Sequence, residues 1–329
     1  MNIQTLAKDI WELARPATTI AITTHIESDG DGMVAAFALQ HLMQLEGFEA
    51  TIVTDDEDLS LYSFLGHEPS VIGYKAGATA DLVIVLDCNS YDRLGQRAEL
   101  VSSAAKVVVI DHHVIEHNPI KADLAYIDTK YASVGALLYA VFESQLQALS
   151  LEEQSYFAEC VYVTLLNDTN NFTNANTDAG VFELAAKLVK HGAKPYQLYM
   201  AYMQNNSAGE MRYIGGTLAT IELHHNEEIL FMHSDLALKE SCKVDPALFR
   251  KATRYVQGVR GLKALVYFRE DEPGLWKLSL RSLTLNVQEI ASRYGGGGHR
   301  QASGCTMQGS LSEIKKRILD DLKQAMKAQ

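Results

Sequence analysis

The first half of the chain repeats one alternation, a short apolar β-branched run followed by a longer helical pattern. Residues 18–24 (TTIAITT), 50–54 (ATIVT), 82–86 (LVIVL) and 107–110 (VVVI) predict strands. Several of these runs are apolar throughout. Such a strand has to be covered on both faces, which points to a parallel sheet with helices on each side. Helical patterns at 33–46 (ended by Gly47), 132–149, 151–167 and 179–191 (ended by Gly192) supply the covering layers. The expected fold is therefore α/β, with a mostly parallel, doubly wound N-terminal sheet.

The second half differs. Residues 217–223, 228–233, 262–268 and 275–281 read as strands, 245–258 and 287–294 as helices, and 311–328 as a closing helix after Ser310. This predicts a smaller C-terminal α/β domain. The expected division is 1–195, a linker over 196–212, and 213–329, with 195–206 (PYQLYMAYMQNN) reading as helical. A chain of 329 residues has room for two such domains.

Chemistry-bearing residues gather where strands and helices end. His25, Asp29 and Asp31 follow the first strand, in HIESDGDG. Asp87 follows 82–86, and Asp111-His112-His113 closes 107–110. Asp168 lies in Asn167-Asp168-Thr169-Asn170, where a helix breaks. Open α/β sheets place ligands at the carboxyl ends of their strands. Each cluster alone has a plain explanation as a turn or helix cap; four of them in this order do not. Carboxylates crowded into one crevice repel, and divalent cations remove that penalty. Asp31, Asp87 and Asp168 with His25 and His112 offer mixed oxygen and nitrogen donors. That mixture suits Mn²⁺, or Zn²⁺ or Fe²⁺, better than Mg²⁺. Two such ions roughly 3.5–4 Å apart can activate water and clamp a phosphoryl oxygen. Gly30 and Gly32 allow a tight turn into the next helix, whose N-terminus favours anions.

In the second half, Gly295-Gly296-Gly297-Gly298-His299 reads as a loop that lets backbone approach a ligand closely, with His299 as a donor to an oxyanion. Arg281 and Ser282, at the end of 275–281, suit a terminal phosphate.

Taken together, these motifs resemble the DHH phosphoesterase family in its two-domain DHH–DHHA1 form, over nearly the whole chain. The similarity is strongest to its NrnA-type branch of nano-RNA oligoribonucleases and pAp phosphatases. His25, Asp29 and Asp31 match the first motif, Asp87 the second, Asp111-His112-His113 the third, Asp168 the fourth, and Gly295–His299 the DHHA1 signature. The resemblance implies one metal on His25, Asp29 and Asp87, and a second on Asp31, Asp87, His112 and Asp168, with Asp87 bridging. It implies catalytic roles for Asp87, Asp111 and His113, with His113 beside the scissile phosphate. Arg281, Ser282 and His299 would hold the far phosphate, Gly296, Gly297 and Gly298 would meet base or sugar, and the active site would lie in the cleft between the domains. Two Mn²⁺ are the expected cofactors, with Mg²⁺ or Co²⁺ as substitutes.

The pattern is broken in places. Ser28 stands for the usual Pro, Gly32 for Ala, Asn170 for the Gly of Asp-Thr-Gly, Thr173 and Asn174 for an Arg and an aromatic, and Ser303 for Ala. No metal ligand is lost, so these changes bear on substrate length and base preference.

The expected activity is manganese-dependent hydrolysis of short oligoribonucleotides or linear dinucleotides to mononucleotides, and of pAp to AMP. Cyclic-dinucleotide phosphodiesterase and exopolyphosphatase are the alternative activities, and a catalytically silent nucleotide sensor the alternative of another class. DHH pyrophosphatases lack the glycine-rich signature. A RecJ-like exonuclease would need a further domain. Charge agrees: 29 Lys and Arg against 41 Asp and Glu leave −12, which excludes a protein that coats long duplex nucleic acid or anionic membrane. No apolar run approaches the ~18–20 residues of a membrane span. The N-terminus lacks the look of a secretory signal, and four scattered cysteines read as reduced thiols, so the expected location is cytoplasmic. A homodimer is expected by resemblance only.

Overall fold

The computed structural model describes residues 3–55, 58–115, 117–244, 252–253, 255–256 and 258–327, without the side chains of Gln4 and His299. The chain forms two compact units, Met1–Asn205 and Asn206–Gln329. Elements of the first unit are α1 (Ile3–Ala14), β1 (Ile20–Thr23), α2 (Gly30–Leu45), β2 (Ala50–Thr54), β3 (Val71–Gly73), β4 (Leu82–Leu86), α3 (Ala98–Ser103), β5 (Lys106–Asp111), β6 (Leu124–Ile127), α4 (Val134–Leu146), α5 (Leu151–Asp168), α6 (Ala179–Lys190) and α7 (Pro195–Leu198).

The first sheet is six-stranded and parallel, in the order β3-β2-β1-β4-β5-β6. Strand order reverses between β1 and β4, so a crevice opens at their carboxyl ends. The side chains divide by parity. Ile20, Ile22, Leu82, Ile84, Leu86, Val108 and Ile110 join one core with helices α1, α2, α4 and α5. Ala21, Val83, Val85, Val107 and Val109 join a second core beneath α3. Both faces are therefore dry, which explains the uninterrupted apolar runs. Helix α2 is buried on all sides from Gly30 to Gln40. It packs between the sheet, α4 and α5, and so has no polar stripe.

Short edge strands β3 and β6, and helix α1, were not among the expected elements. Three- and four-residue edge strands carry too few residues for a period to register. Within 195–206, α7 and a π-helical turn (Tyr199–Met203) fold onto the first unit, where Leu198 is buried and Tyr202 and Met203 touch its core.

The α4–α5 contact is close. A methyl at Gly135 would overlap the Thr164 hydroxyl and stand 2.7 Å from its Cγ2. Gly135→Ala gains about 1 kcal/mol in helix propensity. Overpacking a buried contact costs about 1–3 kcal/mol. We expect the loss to dominate, seen as a lower urea midpoint at unchanged m; an unchanged or raised midpoint would contradict the packing.

The second unit holds α8 (Ala208–Leu218), β7 (Glu222–His224), β8 (Ile229–Ser234), α9 (Leu236–Cys242), β9 (Ala264–Glu272), β10 (Leu275–Arg281), α10 (Val287–Ser292), β11 (Gly297–His299), β12 (Ala302–Gln308) and α11 (Leu311–Lys327). Its sheet runs β11-β12-β10-β9-β8-β7, antiparallel except for β8 with β9. Alternate strand residues pack on α10 and α11 on one face, and on α8 with Tyr213 on the other.

Two expectations change here. The strand over 217–223 is instead the end of α8 followed by β7. A capping box of Ser207 and Glu210 starts the helix, and Thr217 Oγ1 donates to the Tyr213 carbonyl at 2.9 Å within it. The glycine run is not an open loop, because Gly297–His299 forms edge strand β11. Most of the helix expected at 245–258 lies outside the described residues. Among the described residues no helix is long and apolar enough to cross a membrane.

Candidate metal centre

Helix α2 follows β1 across the loop of residues 24–29. Asp29 is its N-cap and accepts from the Asp31 N–H at 3.0 Å. One residue into the helix, the Asp31 side chain is fully buried. Its two oxygens accept from the N–H groups of Val134 (2.7 Å) and Gly135 (3.2 Å). These are the first residues of α4, so the carboxylate sits on a second helix N-terminus. Asp87 leaves β4 in a left-handed conformation, φ +57°. Asp tolerates that region better than most residues, and the turn aims its carboxylate into the crevice.

Around Asp87 the imidazoles converge. His25 Nε2 lies 3.5 Å from Oδ2, while His112 Nε2 (3.3 Å) and His113 Nδ1 (3.2 Å) approach Oδ1. His112 Nε2 is also 3.2 Å from Asp31 Oδ2 and 3.2 Å from Asp168 Oδ2. Asp168 is the last residue of α5. The six ligands expected from sequence thus form one cluster. Two triads, His25–Asp29–Asp87 and Asp31–His112–Asp168, each bring their donor atoms within 4.8 Å of one another. The 3.3 Å approach of Asp87 to His112 joins them.

The donor set fits divalent cations. Among the described residues, buried Asp87 Oδ1 and His112 Nε2 have no hydrogen-bond partner. Both are turned into the cluster, as metal ligands are. His112 Nδ1 lies 3.1 Å from the Tyr131 carbonyl, so Nδ1 carries a proton and Nε2 is the nitrogen a metal would take. His113 forms a third triad with Asp87 and His112, but through Nδ1. That nitrogen is already 2.9 Å from Asp111 Oδ1. Asp111 is buried and fully engaged. Its Oδ1 also takes the N–H of His112 (2.7 Å) and His113 (3.1 Å), and its Oδ2 takes Asn89 Nδ2 at 2.6 Å. Asp111 therefore orients the two histidines.

Charge is out of balance without cations. Burial, then the charges of Asp168 and Asp87, raise the Asp31 pKa well above the carboxylate range. Asp29 is raised by loss of water around its carboxyl, then by Asp87 and Asp168. Burial opposes ionisation of Asp87 too, yet the facing imidazoles of His112, His113 and His25 hold it well below the usual range. Burial lowers His113, but Asp111 and Asp87 outweigh it and push it up to about 10. His112 is raised likewise, by Asp168, Asp31 and Asp87 against burial.

Two departures in the first motif complement each other. A methyl at Gly32 would stand 2.9 Å from Ser28 Oγ and 3.3 Å from Asp87 Oδ2. Ser28 Oγ, held by Thr24 Oγ1 at 2.8 Å, fills the space that an alanine methyl would need. Sequence reasoning passed over Asn89, the α4 N-terminus, and Asn167 as a working side chain. For α4, the Ser133 N-cap before a helical pattern was the available signal.

The remaining expected residues lie in the second unit. Arg281 ends β10, and with Ser282, Gln301, Leu262, Leu265 and Leu283 it lines a cavity of about 190 Å³. Ser282 is committed to its turn: Oγ donates to the Lys263 carbonyl at 2.5 Å and accepts from the N–H of Thr284 and Leu285. The N–H groups of Gly295 and Gly296 bond back to Ser292 and Ala291. A methyl at Gly296 or Gly298 would run into the backbone of β12. The glycines thus permit close strand pairing, and two of their donors are used internally. The His299 side chain lies outside the described residues.

Comparison with known proteins agrees in extent and order. A Thermus thermophilus protein named bifunctional oligoribonuclease and PAP phosphatase NrnA is 28% identical over 309 residues, covering 93% of this chain and 90% of its own. A Bacillus subtilis protein of the same name is 26% identical, covering 92% and 93%. The crystal structure of an exopolyphosphatase-related protein from Bacteroides fragilis superposes with a TM-score of 0.86 at 17% identity, over 99% of this chain and 96% of the other, which shows a shared fold. Residues 19–165 match the DHH family, N-terminal domain, and residues 236–328 match the DHHA1 domain. With both domains present in order, and relatives similar along almost its full length, the chain belongs to the DHH family in its DHH–DHHA1 form.

Proposed function

We propose that this chain is a two-metal phosphohydrolase of short nucleotides. It cleaves short oligoribonucleotides or linear dinucleotides to mononucleotides and takes pAp to AMP, with Mn²⁺ as the preferred ion. The observation that carries this reading is the pair of donor triads joined at Asp87 and His112. The names of the relatives support the substrate class. His25, Asp29 and Asp87 would hold one ion, and Asp31, Asp87, His112 and Asp168 the other. Such ions supply Lewis acidity and an activated water at neutral pH.

The chain's own groups do the rest. Asp111 fixes the His113 ring through Nδ1, leaving Nε2 to face the substrate and serve the leaving oxygen. The His113 side chain is 40% exposed, so a ligand can reach it. In the second unit, Arg281, on the turn shaped by Ser282, would bind the substrate's terminal phosphate together with His299. The strand Gly297–His299 and Gly296 would meet base or sugar. A pocket of this kind needs few cations, consistent with a net charge of −12.

The test is a panel of pAp, pApA, longer oligoribonucleotides, cyclic dinucleotides and polyphosphate with Mn²⁺, Mg²⁺ and Co²⁺, products resolved by length. Turnover confined to short linear substrates and pAp, highest with Mn²⁺, is expected. Tight binding without turnover of any of them would point to a sensor. Arg281→Ala should lower kcat/KM for pAp by about 10-fold or more, roughly the loss of one charge-assisted pair. A small chromogenic phosphodiester should be nearly unaffected. Equal losses on both would contradict the phosphate role.

A further inference from the structure

Asn167 sits beside two of the metal-facing carboxylates. Its Nδ2 donates to Asp168 Oδ1 at 2.9 Å, and its amide favours the ionised form of the nearby Asp29. Its Oδ1 accepts from the Tyr202 hydroxyl at 2.6 Å. An amide has two ends, and only one orientation turns its N–H groups toward the Asp168 carboxylate. The reverse orientation would set Oδ1 against that anion. A hydroxyl that donates to Oδ1 selects the first.

Tyr202 is itself well placed. Its ring packs near Tyr62 (centroids 6.4 Å apart) and Phe64 (6.5 Å). Its hydroxyl lies so close to Gly30, between Asp29 and Asp31, that a methyl on Gly30 would overlap it. It comes from the π-helical turn Tyr199–Met203, just before the first unit ends at Asn205. Single π-helical turns are rare and gather at functional sites.

We infer that Tyr202 is a positioning residue of the metal centre: acting through Asn167, it orients the carboxylate of Asp168, and so ties the final turn of the first unit to metal affinity. The inference rests on the metal-centre reading above. Partners of this kind typically contribute about 10- to 100-fold in metal affinity.

A double-mutant cycle tests it, with Mn²⁺ itself titrated calorimetrically into the metal-free full chain. The proteins are wild type, Tyr202→Phe, Asn167→Ala and the double variant. Tyr202→Phe keeps the ring against Tyr62, so metal-free melting should stay at the wild-type value while Mn²⁺ affinity falls about 10-fold or more. In the Asn167→Ala background the same change should cost less than about 2-fold, because the path is already broken. Wild-type affinity in Tyr202→Phe, or losses that multiply in the double variant, would overturn the inference while leaving the metal centre intact. Wild-type protein that takes up no Mn²⁺ would overturn the metal reading and this inference with it.

Discussion

Asp87→Asn yields a folded protein that has lost turnover by about 10³-fold or more on every substrate. The estimate takes about 4 kcal/mol for a bridging ligand in a two-metal site, at 1.36 kcal/mol per decade of rate. Asn is the informative replacement. It has nearly the same shape, and it tolerates the left-handed backbone that residue 87 adopts at φ +57°. Alanine would add strain at that position and blur the result. What Asn removes is the charge that His25, His112 and His113 all face. Losses should be alike for pAp and for oligonucleotides, since the change precedes any substrate distinction. Steady-state kinetics with saturating Mn²⁺ measures it, and circular dichroism checks the fold. Residual turnover within about 10-fold of wild type would contradict the bridging assignment.

Adding Mn²⁺ to metal-free protein should raise the melting temperature of the first unit by about 5–10 °C. Ligand at 100 times Kd contributes about 2.7 kcal/mol, and each kcal/mol is worth about 2–4 °C at this size. The sign follows from the electrostatics. Loss of water and neighbouring carboxylates raise the pKa values of Asp31 and Asp29, so the metal-free site is unfavourable when ionised. Cations relieve that and displace the protons. The increment should therefore shrink as the buffer becomes acidic, because protons then compete for the same atoms. Differential scanning calorimetry at several pH values reads it. An increment that grows on acidification, or a chelator without effect on the loaded protein, would contradict the assignment.

Much of this was legible in the sequence, for particular reasons. β4 and β5 could be read because burial on both faces makes Leu82–Leu86 and Val107–Ile110 apolar throughout. The clustering of the six candidate ligands could be read because strand ends in a parallel sheet converge on one crevice, so order along the chain carries over into space. Asp31 on the N-terminus of α4 could not be read, since a contact across some hundred residues leaves no local mark. Nor could Tyr202 on Asn167, where an ordinary amide and an ordinary phenol acquire a task only through the turn that brings them together. The glycine run misled for a different reason. Glycine serves open loops and tight strand pairing alike, and only β12 alongside decides between them. Thr217 misled because its β-branch favours a strand, while the capping box ten residues earlier had already committed the segment to a helix.

Metal stoichiometry tests the central claim most directly. Metal-free wild-type protein titrated with Mn²⁺ should bind two ions per chain, and its low-temperature electron paramagnetic resonance should show a coupled pair. Asp87→Asn should lose that coupling. One ion or none in the wild type, or a coupled pair that survives in Asp87→Asn, would contradict the account.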